Sequence, residues 1–202
     1  MKANILFCAA SVVFAAGLVL GGRAEAAEAK LNCSLSVSAL KGESKLEKSG
    51  GNNGRGGTTT SAISRNLKWK ARVSFSGATP EKPTLKVWYV GYSGDGGQMV
   101  SVGSAAHPLE LNEKGVAVLE LTSPTTTLTK KKTIRNGRNN RNGGNSVKKT
   151  VTGERVTGCV IQVFAGDELM KSWVSDSRWA KAAKEQSFSL DLIDPKGANK
   201  KK

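Results

Sequence analysis

The stretch GCVIQVFAGDELMKSWVSDSRWAKAA, residues 158–183, determines the fold predicted for this chain. Its first part, CVIQVF at 159–164, is a short apolar run rich in β-branched residues, as in a buried β-strand. The cluster AGDE at 165–168 is typical of a turn, and LMKSWV at 169–174 then completes a β-hairpin.

A short helix is predicted after this hairpin. Ser175 and Asp176 can each cap the first backbone amides of a helix, and the segment 178–185 has helical propensity. Trp179 is the large apolar residue of that segment, so we expect it to hold the helix against the sheet.

Alternating apolar and polar residues predict strands elsewhere in the chain. Over 31–39 and 67–76, every second residue is apolar, which is the pattern of a strand with one face on a core. The segment 84–92 is apolar on both faces and is predicted to lie centrally in a sheet. Further strands are expected at 99–102, 116–122, 125–134, 147–156 and 188–193.

Together these segments predict an all-β domain over 27–195. About nine short strands, with one short helix before the last strand, are typical of an antiparallel β-sandwich with Greek-key or meander connections. The stretch 41–60 is dominated by Gly, Ser, Asn, Lys and Thr, so it is predicted to be a flexible loop. A second flexible loop is expected over 135–146, and a basic tail over 196–202.

The N-terminus predicts export. Lys2 precedes an apolar run over 5–20, and Ala-x-Ala patterns at 24–26 and 27–29 follow it, as in a signal peptide covering 1–26 or ending as late as residue 29. The apolar run is shorter than the roughly 20 residues that cross a bilayer as a helix, so a retained anchor is the less favoured alternative. We expect a mature chain without a transmembrane segment, in the periplasm, at the cell surface or outside the cell.

Cysteine usage fits an exported protein. Cys33 and Cys159 remain after cleavage, both lie in strand-like runs, and disulfides form in exported proteins. A disulfide between them is predicted, and closing so long a loop would stabilise the fold by about 4 to 5 kcal/mol. The alternative is two buried thiols that behave as small apolar side chains.

Catalytic and metal-binding patterns are weak. His107 is the single histidine and has no other ligand-type residues at close spacing, so neither a metal nor another cofactor is expected. No Gly-x-Ser-x-Gly elbow is present, so no serine nucleophile can be named. A glycan hydrolase needs only two carboxylates and stays the enzymatic alternative. Several acids fall at predicted turns, caps and strand ends: Asp167, Glu168, Asp176, Asp191 and Asp194.

The four tryptophans have two interpretations. An aromatic platform could stack on sugar rings, but each tryptophan occupies an apolar-periodic position, which favours core packing. They are Trp69, Trp88, Trp173 and Trp179.

Positive charge is the sequence feature that most clearly indicates a function. The chain carries a net charge of +15, and 130–149 contains eight cations and no acid, within the two legs and tip of a predicted protruding hairpin. These candidate polyanion-binding residues are Lys130, Lys131, Lys132, Arg135, Arg138, Arg141, Lys148 and Lys149.

The charge pattern predicts a binding protein rather than an enzyme. We expect an exported component of the envelope or cell surface that binds an anionic polysaccharide, lipopolysaccharide or another anionic or glycan partner through the basic hairpin. Nucleic acid is disfavoured, because export separates the protein from it and the basic loops lack aromatic residues that stack on bases. The non-enzymatic alternatives are a structural subunit that assembles through an edge strand, and a solvated face that binds nothing.

Overall fold

A computed structural model describes residues 30–52, 56–78, 80–94, 97–136, 145–186, 188 and 189. These residues form ten antiparallel strands and two single-turn 3₁₀ helices, which confirms the predicted all-β class. The strands are β1 (Asn32–Leu40), β2 (Ser44–Asn52), β3 (Gly56–Arg65), β4 (Lys68–Ser76), β5 (Thr84–Ser93), β6 (Gln98–Pro108), β7 (Val116–Thr122), β8 (Thr126–Asn136), β9 (Asn145–Ala165) and β10 (Glu168–Val174). The 3₁₀ helices are Ser177–Trp179 and Ala182–Lys184.

Two sheets form a sandwich. The smaller sheet has the order β1-β4-β7, and the larger one has the order β2-β3-β8-β9-β5-β6, with β10 also paired to β9. β9 is 21 residues long and pairs with β8 through 145–153 and with β5 through 154–164. Because the first half of β9 lies outside the sandwich and the second half lies in its core, this one strand joins both regions of the larger sheet.

The main core lies between the two sheets. Alternation places Ala71 and Val73 of β4, Leu85 of β5 and Ile161 of β9 at zero exposure within one apolar cluster. β5 lies between β6 and β9, so its predicted central position is confirmed. Trp69 joins this cluster and stacks on Tyr89, with ring centroids 6.0 Å apart.

A second apolar cluster lies on the outer side of the larger sheet. Trp179 is 2% exposed there, packed with Val90 and Val160, so its predicted role in holding the helical segment to the sheet is confirmed. The segment forms two 3₁₀ turns instead of one longer helix. Gln162 of β9 fixes the second turn, since its side-chain amide donates to the carbonyl oxygens of Ala183 and Glu185.

The prediction of a flexible loop over 41–60 is wrong. β2 and β3 occupy most of it and pair with each other from Ser44 opposite Arg65 to Asn52 opposite Gly57. β3 also pairs with β8 along its whole length. The composition indicated no core contacts, but strand pairing with a segment about 70 residues further on supplies the order that the local sequence lacks.

Four strands therefore form an arm, defined here as β2, β3, β8 and residues 145–155 of β9. Apart from Thr126 at the start of β8, no side chain described in the arm is buried. The predicted protruding hairpin is the β8–β9 half of this arm, with β2 and β3 extending it into a four-stranded sheet.

Buried polar side chains hold the junction between the arm and the sandwich. Asn66, between β3 and β4, exchanges hydrogen bonds of 2.8 and 3.1 Å with the backbone of Glu43. Ser123, between β7 and β8, exchanges bonds of 3.0 and 2.9 Å with the backbone of Leu67. These bonds satisfy backbone groups where strands leave one sheet for the other.

The predicted disulfide is not formed, and both cysteines are free thiols. Cys33 lies opposite Phe75 in the smaller sheet, and Cys159 lies opposite Tyr89 in the larger one. The two cysteines therefore lie on strands of different sheets, and each faces an aromatic residue across its own sheet. Burial raises the pKa of both thiols. The alternative interpretation as a small buried side chain describes Cys159, whereas Cys33 is only partly buried.

Other predicted segments fall outside the described residues. The signal peptide at 1–26, the tip of the second loop at 137–144 and the basic tail at 196–202 are among them. Of the predicted last strand at 188–193, the structure describes residues 188 and 189, which are not in a strand. No helix among the described residues is long and apolar enough to cross a membrane.

Candidate functional site

The strand register of the arm sorts its side chains onto two faces. Residues directly opposite each other in antiparallel strands share a face, and successive residues alternate between faces. One face, called the front face here, carries aliphatic and cationic side chains. From β2 to β9 it contains Leu46, Lys48, Thr59, Ser61, Ile63, Arg65, Leu128, Lys130, Lys132, Ile134, Val147, Lys149 and Val151. Arg155 lies beyond the last β8–β9 pair and lines a pocket together with Arg65 and Lys130.

Lysines form a band across the middle of the front face. Lys132 lies directly opposite Lys149, and Lys130 is two residues along the same strand. Lys48 occupies the same row as Lys130, with Ser61 of β3 between them. All four lysines are exposed, and none of the front-face residues named above is an acid. The result is a flat band of positive charge with small polar residues between the lysines.

Like charges at this spacing are unfavourable for the folded chain. Directly opposite residues in an antiparallel pair have Cβ atoms about 5 Å apart, and like charges there destabilise the sheet. No described acid forms an ion pair with Lys132 or Lys149. Their repulsion is therefore relieved by solvent, salt or an external anion.

The opposite face, called the back face, is mixed in charge and rich in hydroxyl groups. Lys45 and Glu47 form an ion pair there with 2.7 Å between Nζ and Oε1, which raises the pKa of the lysine and lowers that of the glutamate. Cross-strand hydroxyl pairs also lie on this face, including Ser64 with Thr127 at 2.8 Å. These contacts support the sheet and leave the back face less positive than the front.

The structure divides the predicted binding residues. Lys130, Lys132 and Lys149 share the front face, whereas Lys131, Arg135 and Lys148 lie on the back face. Arg138 and Arg141 lie outside the described residues.

Sequence reasoning missed three cations on or beside the front face. Lys48 was assigned to a flexible loop, Arg65 to the segment before a strand, and Arg155 to the end of a hairpin leg. Their place beside Lys130 depends on the pairing of β2 with β3 and of β3 with β8. The alternation over 44–65 is too weakly apolar to reveal that pairing, so no local signal could have found these residues.

The acids and the histidine that the sequence offers as candidate catalytic or metal-binding groups lie at caps, turns and strands of the sandwich. Asp176 caps the first 3₁₀ helix, and hydrogen bonding to Arg178 lowers the pKa of its carboxyl. Asp167 and Glu168 lie at the β9–β10 turn, and His107 lies on β6 opposite Leu85. In the described part of the chain, no group of three or more His, Cys, Asp or Glu side chains is arranged to hold a metal ion.

The tryptophans do not form an exposed platform in the described structure. Trp69 and Trp179 are buried, while Trp88 and Trp173 are partly buried against the two apolar clusters. Trp88 also contacts Phe188, with ring centroids 5.3 Å apart. The core-packing interpretation is therefore confirmed.

Comparison of the chain with protein-family models finds no match, and comparison with curated proteins finds none either.

Proposed function

We propose that this protein is an exported, non-enzymatic binding protein whose arm holds an anionic polysaccharide at the cell surface through its front face. The observation that carries the proposal is the pairing of Lys132 directly opposite Lys149 within a band of lysines that contains no described acid. Because the repulsion between these two lysines opposes folding, binding of an anion that neutralises their charge would be favourable.

The shape of the front face favours a polymer over a compact ligand. Its lysines lie on strands about 4.8 Å apart and at two-residue steps of about 7 Å, so the band is wide and shallow. Carboxylate, sulfate or phosphate groups repeated along a sugar chain could contact several lysines at once. Each contact would be weak, and the affinity that results from all of them would depend strongly on salt concentration.

The aliphatic rows on both sides of the lysine band support a glycan backbone as the carrier of the charge. Leu46 and Val147 are about half exposed, at 54% and 48%. Ile63, Leu128 and Ile134 are partly exposed between them. The apolar faces of sugar rings can pack on such side chains, whereas stacked nucleobases need aromatic ones, and the described arm contains none.

Assembly through an edge strand is less well supported. β2 pairs with β3 alone among the described strands, so its outer edge is open to another strand. Charged side chains at Lys45, Glu47 and Lys48 lie along that edge, and charges of this kind protect natural edges against pairing.

The proposal is tested with heparin as a model sulfated polysaccharide and with two variants of equal charge. The front-face variant carries Lys130→Gln, Lys132→Gln and Lys149→Gln. With roughly 1 kcal/mol for each lysine near an anionic surface, its affinity at low salt should fall about 100-fold. The slope of log affinity against log salt concentration should also become shallower by about 2.

The matched control is a back-face variant with Lys131→Gln, Arg135→Gln and Lys148→Gln. It has the same net charge as the front-face variant, and its affinity for heparin should fall less than fivefold. Circular dichroism checks that both variants stay folded. Equal losses in the two variants would show that total charge, and not the front face, governs binding.

A further inference from the structure

A pocket lies at the base of the front face, where the arm meets the sandwich. It encloses about 210 Å³ and is lined by residues from all four arm strands. Arg65 of β3, Lys130 of β8 and Arg155 of β9 bring three positive charges to it, and Glu154 brings one negative charge. The pocket therefore has an excess of two positive charges.

Hydrogen bonds from its side chain and to its backbone hold Arg65 at this pocket. Its Nη2 group donates a hydrogen bond to the carbonyl oxygen of Val156, which fixes the guanidinium across β8 to β9. Its backbone carbonyl accepts from the hydroxyl of Thr126, whose oxygen in turn accepts from the N–H of Val156 at 3.0 Å. The bond to Val156 thus orients the guanidinium, and the bonds of Thr126 tie the backbone of Arg65 to β9.

Arg65 also has more donors than partners. A guanidinium has five N–H donors. Among the described residues, the Arg65 guanidinium donates one hydrogen bond, to the carbonyl oxygen of Val156. The Nε group is buried without an acceptor there. Burial and the nearby charge of Arg155 both lower the pKa of Arg65, which indicates an under-compensated pair of cations.

Glu154 does not neutralise this pair. It forms no ion pair within 4.0 Å of any described cation, although its side chain is exposed and lines the same pocket. Two guanidinium groups and an ammonium group around a small cavity are the donors that bind phosphate and sulfate in proteins, because the planar guanidinium matches two oxygens of a tetrahedral anion.

We propose that this pocket is a binding site for one tetrahedral oxyanion, a phosphate or a sulfate group, held by Arg65, Arg155 and Lys130. Its volume is below the 300 Å³ or more of sites for drug-sized ligands, which favours a single small group. The pocket shares Lys130 with the lysine band. An oxyanion attached to a polymer on the front face could therefore enter the pocket. Binding of such a polymer-attached group rests on the proposed function, whereas binding of the free anion is independent of it.

The test uses calorimetric titration of the mature protein with inorganic phosphate and inorganic sulfate, and with chloride as the control anion. One saturable site is expected for the oxyanions, with at least tenfold weaker binding of chloride. Arg155→Gln should weaken oxyanion binding at least tenfold, and because Arg155 is exposed this variant should fold. Glu154→Gln should strengthen oxyanion binding about threefold to tenfold, since it removes the negative charge from the pocket.

The outcomes separate this site from the proposed function. Equal binding of chloride, or unchanged oxyanion binding in both Arg155→Gln and Glu154→Gln, would overturn the pocket proposal even if heparin still binds the front face. Conversely, a saturable oxyanion site without heparin binding would support the pocket and overturn the proposed function.

A heparin titration of Arg155→Gln identifies the source of the group. If the polymer places a sulfate in the pocket, this variant should lose at least tenfold in heparin affinity, and inorganic phosphate should compete with heparin. If Arg155→Gln binds heparin as the unchanged protein does, the pocket takes the free anion.

Discussion

The sandwich and the arm are made of the same antiparallel strands, but they bury very different side chains. In the sandwich, residues such as Val73, Leu85 and Ile161 are fully buried between two sheets. In the arm, no described strand forms a second layer over β2, β3 and the described parts of the β8–β9 hairpin, and the described side chains other than Thr126 are exposed or partly exposed. The hydrophobic effect therefore stabilises the sandwich, while backbone ladders and cross-strand contacts hold the arm together.

This difference explains where binding can develop. A side chain in the sandwich core is constrained by packing, so its identity serves the fold. A side chain on the arm contributes little to stability, which leaves its charge free to serve recognition. The unfavourable pairing of Lys132 with Lys149 is tolerable because the junction and the sandwich supply stability elsewhere.

The largest expected effect contrasts leucines in the two regions. Leu85→Ala should lower the free energy of unfolding by about 2 to 5 kcal/mol, because it opens a cavity in the main core. Leu46→Ala on the arm should change it by less than about 0.5 kcal/mol, since Leu46 is 54% exposed. Urea unfolding followed by circular dichroism measures both. Comparable losses would mean that the arm packs against something that buries Leu46.

A smaller effect is expected at the junction. Thr126→Val keeps the shape of the side chain but removes the hydroxyl that accepts the N–H of Val156 at 3.0 Å. Leaving this buried donor unpaired should cost about 1 to 3 kcal/mol of unfolding free energy, measured by urea unfolding. Thr126→Ser keeps the hydroxyl and should lose clearly less. If Thr126→Val is as stable as the unchanged protein, the polar junction does not hold the arm to the sandwich.

The smallest expected effect concerns the cysteines of the sandwich. Since Cys33 and Cys159 are free thiols, a reducing agent should leave the melting temperature of the mature protein unchanged. Alkylation after unfolding without reductant should label both residues, as read by mass spectrometry. A drop in melting temperature on reduction, with labelling blocked before it, would show that the disulfide forms after all.

The sequence predicted the sandwich far better than the arm. Apolar alternation over 31–39 and 67–76 has a direct physical cause, because a half-buried strand must present every second side chain to the core. The segment 84–92 is apolar on both faces because it lies centrally in its sheet. The arm has no core to present side chains to, so the strands at 44–52 and 56–65 resembled a loop in composition. Their order comes from pairing with β8, which is a non-local interaction.

The candidate site was predicted only in part, because the faces of the arm also depend on non-local strand pairing. The density of cations over 130–149 is visible in the sequence, but the division between faces follows from register. Lys131 and Lys132 are neighbours in the chain and lie on opposite faces of the sheet. Lys48 and Lys130 are distant in the chain and share one row, which only the order of strands reveals.

The most direct test of this division of roles is a lysine footprint of the unchanged protein. Acetylation of each lysine is measured by mass spectrometry with and without a heparin-derived oligosaccharide. We predict that Lys130, Lys132 and Lys149 are protected at least fivefold, while the exposed sandwich lysines Lys70, Lys86 and Lys114 keep their reactivity. Protection spread evenly over all lysines, or concentrated on the sandwich, would contradict the assignment of binding to the front face of the arm.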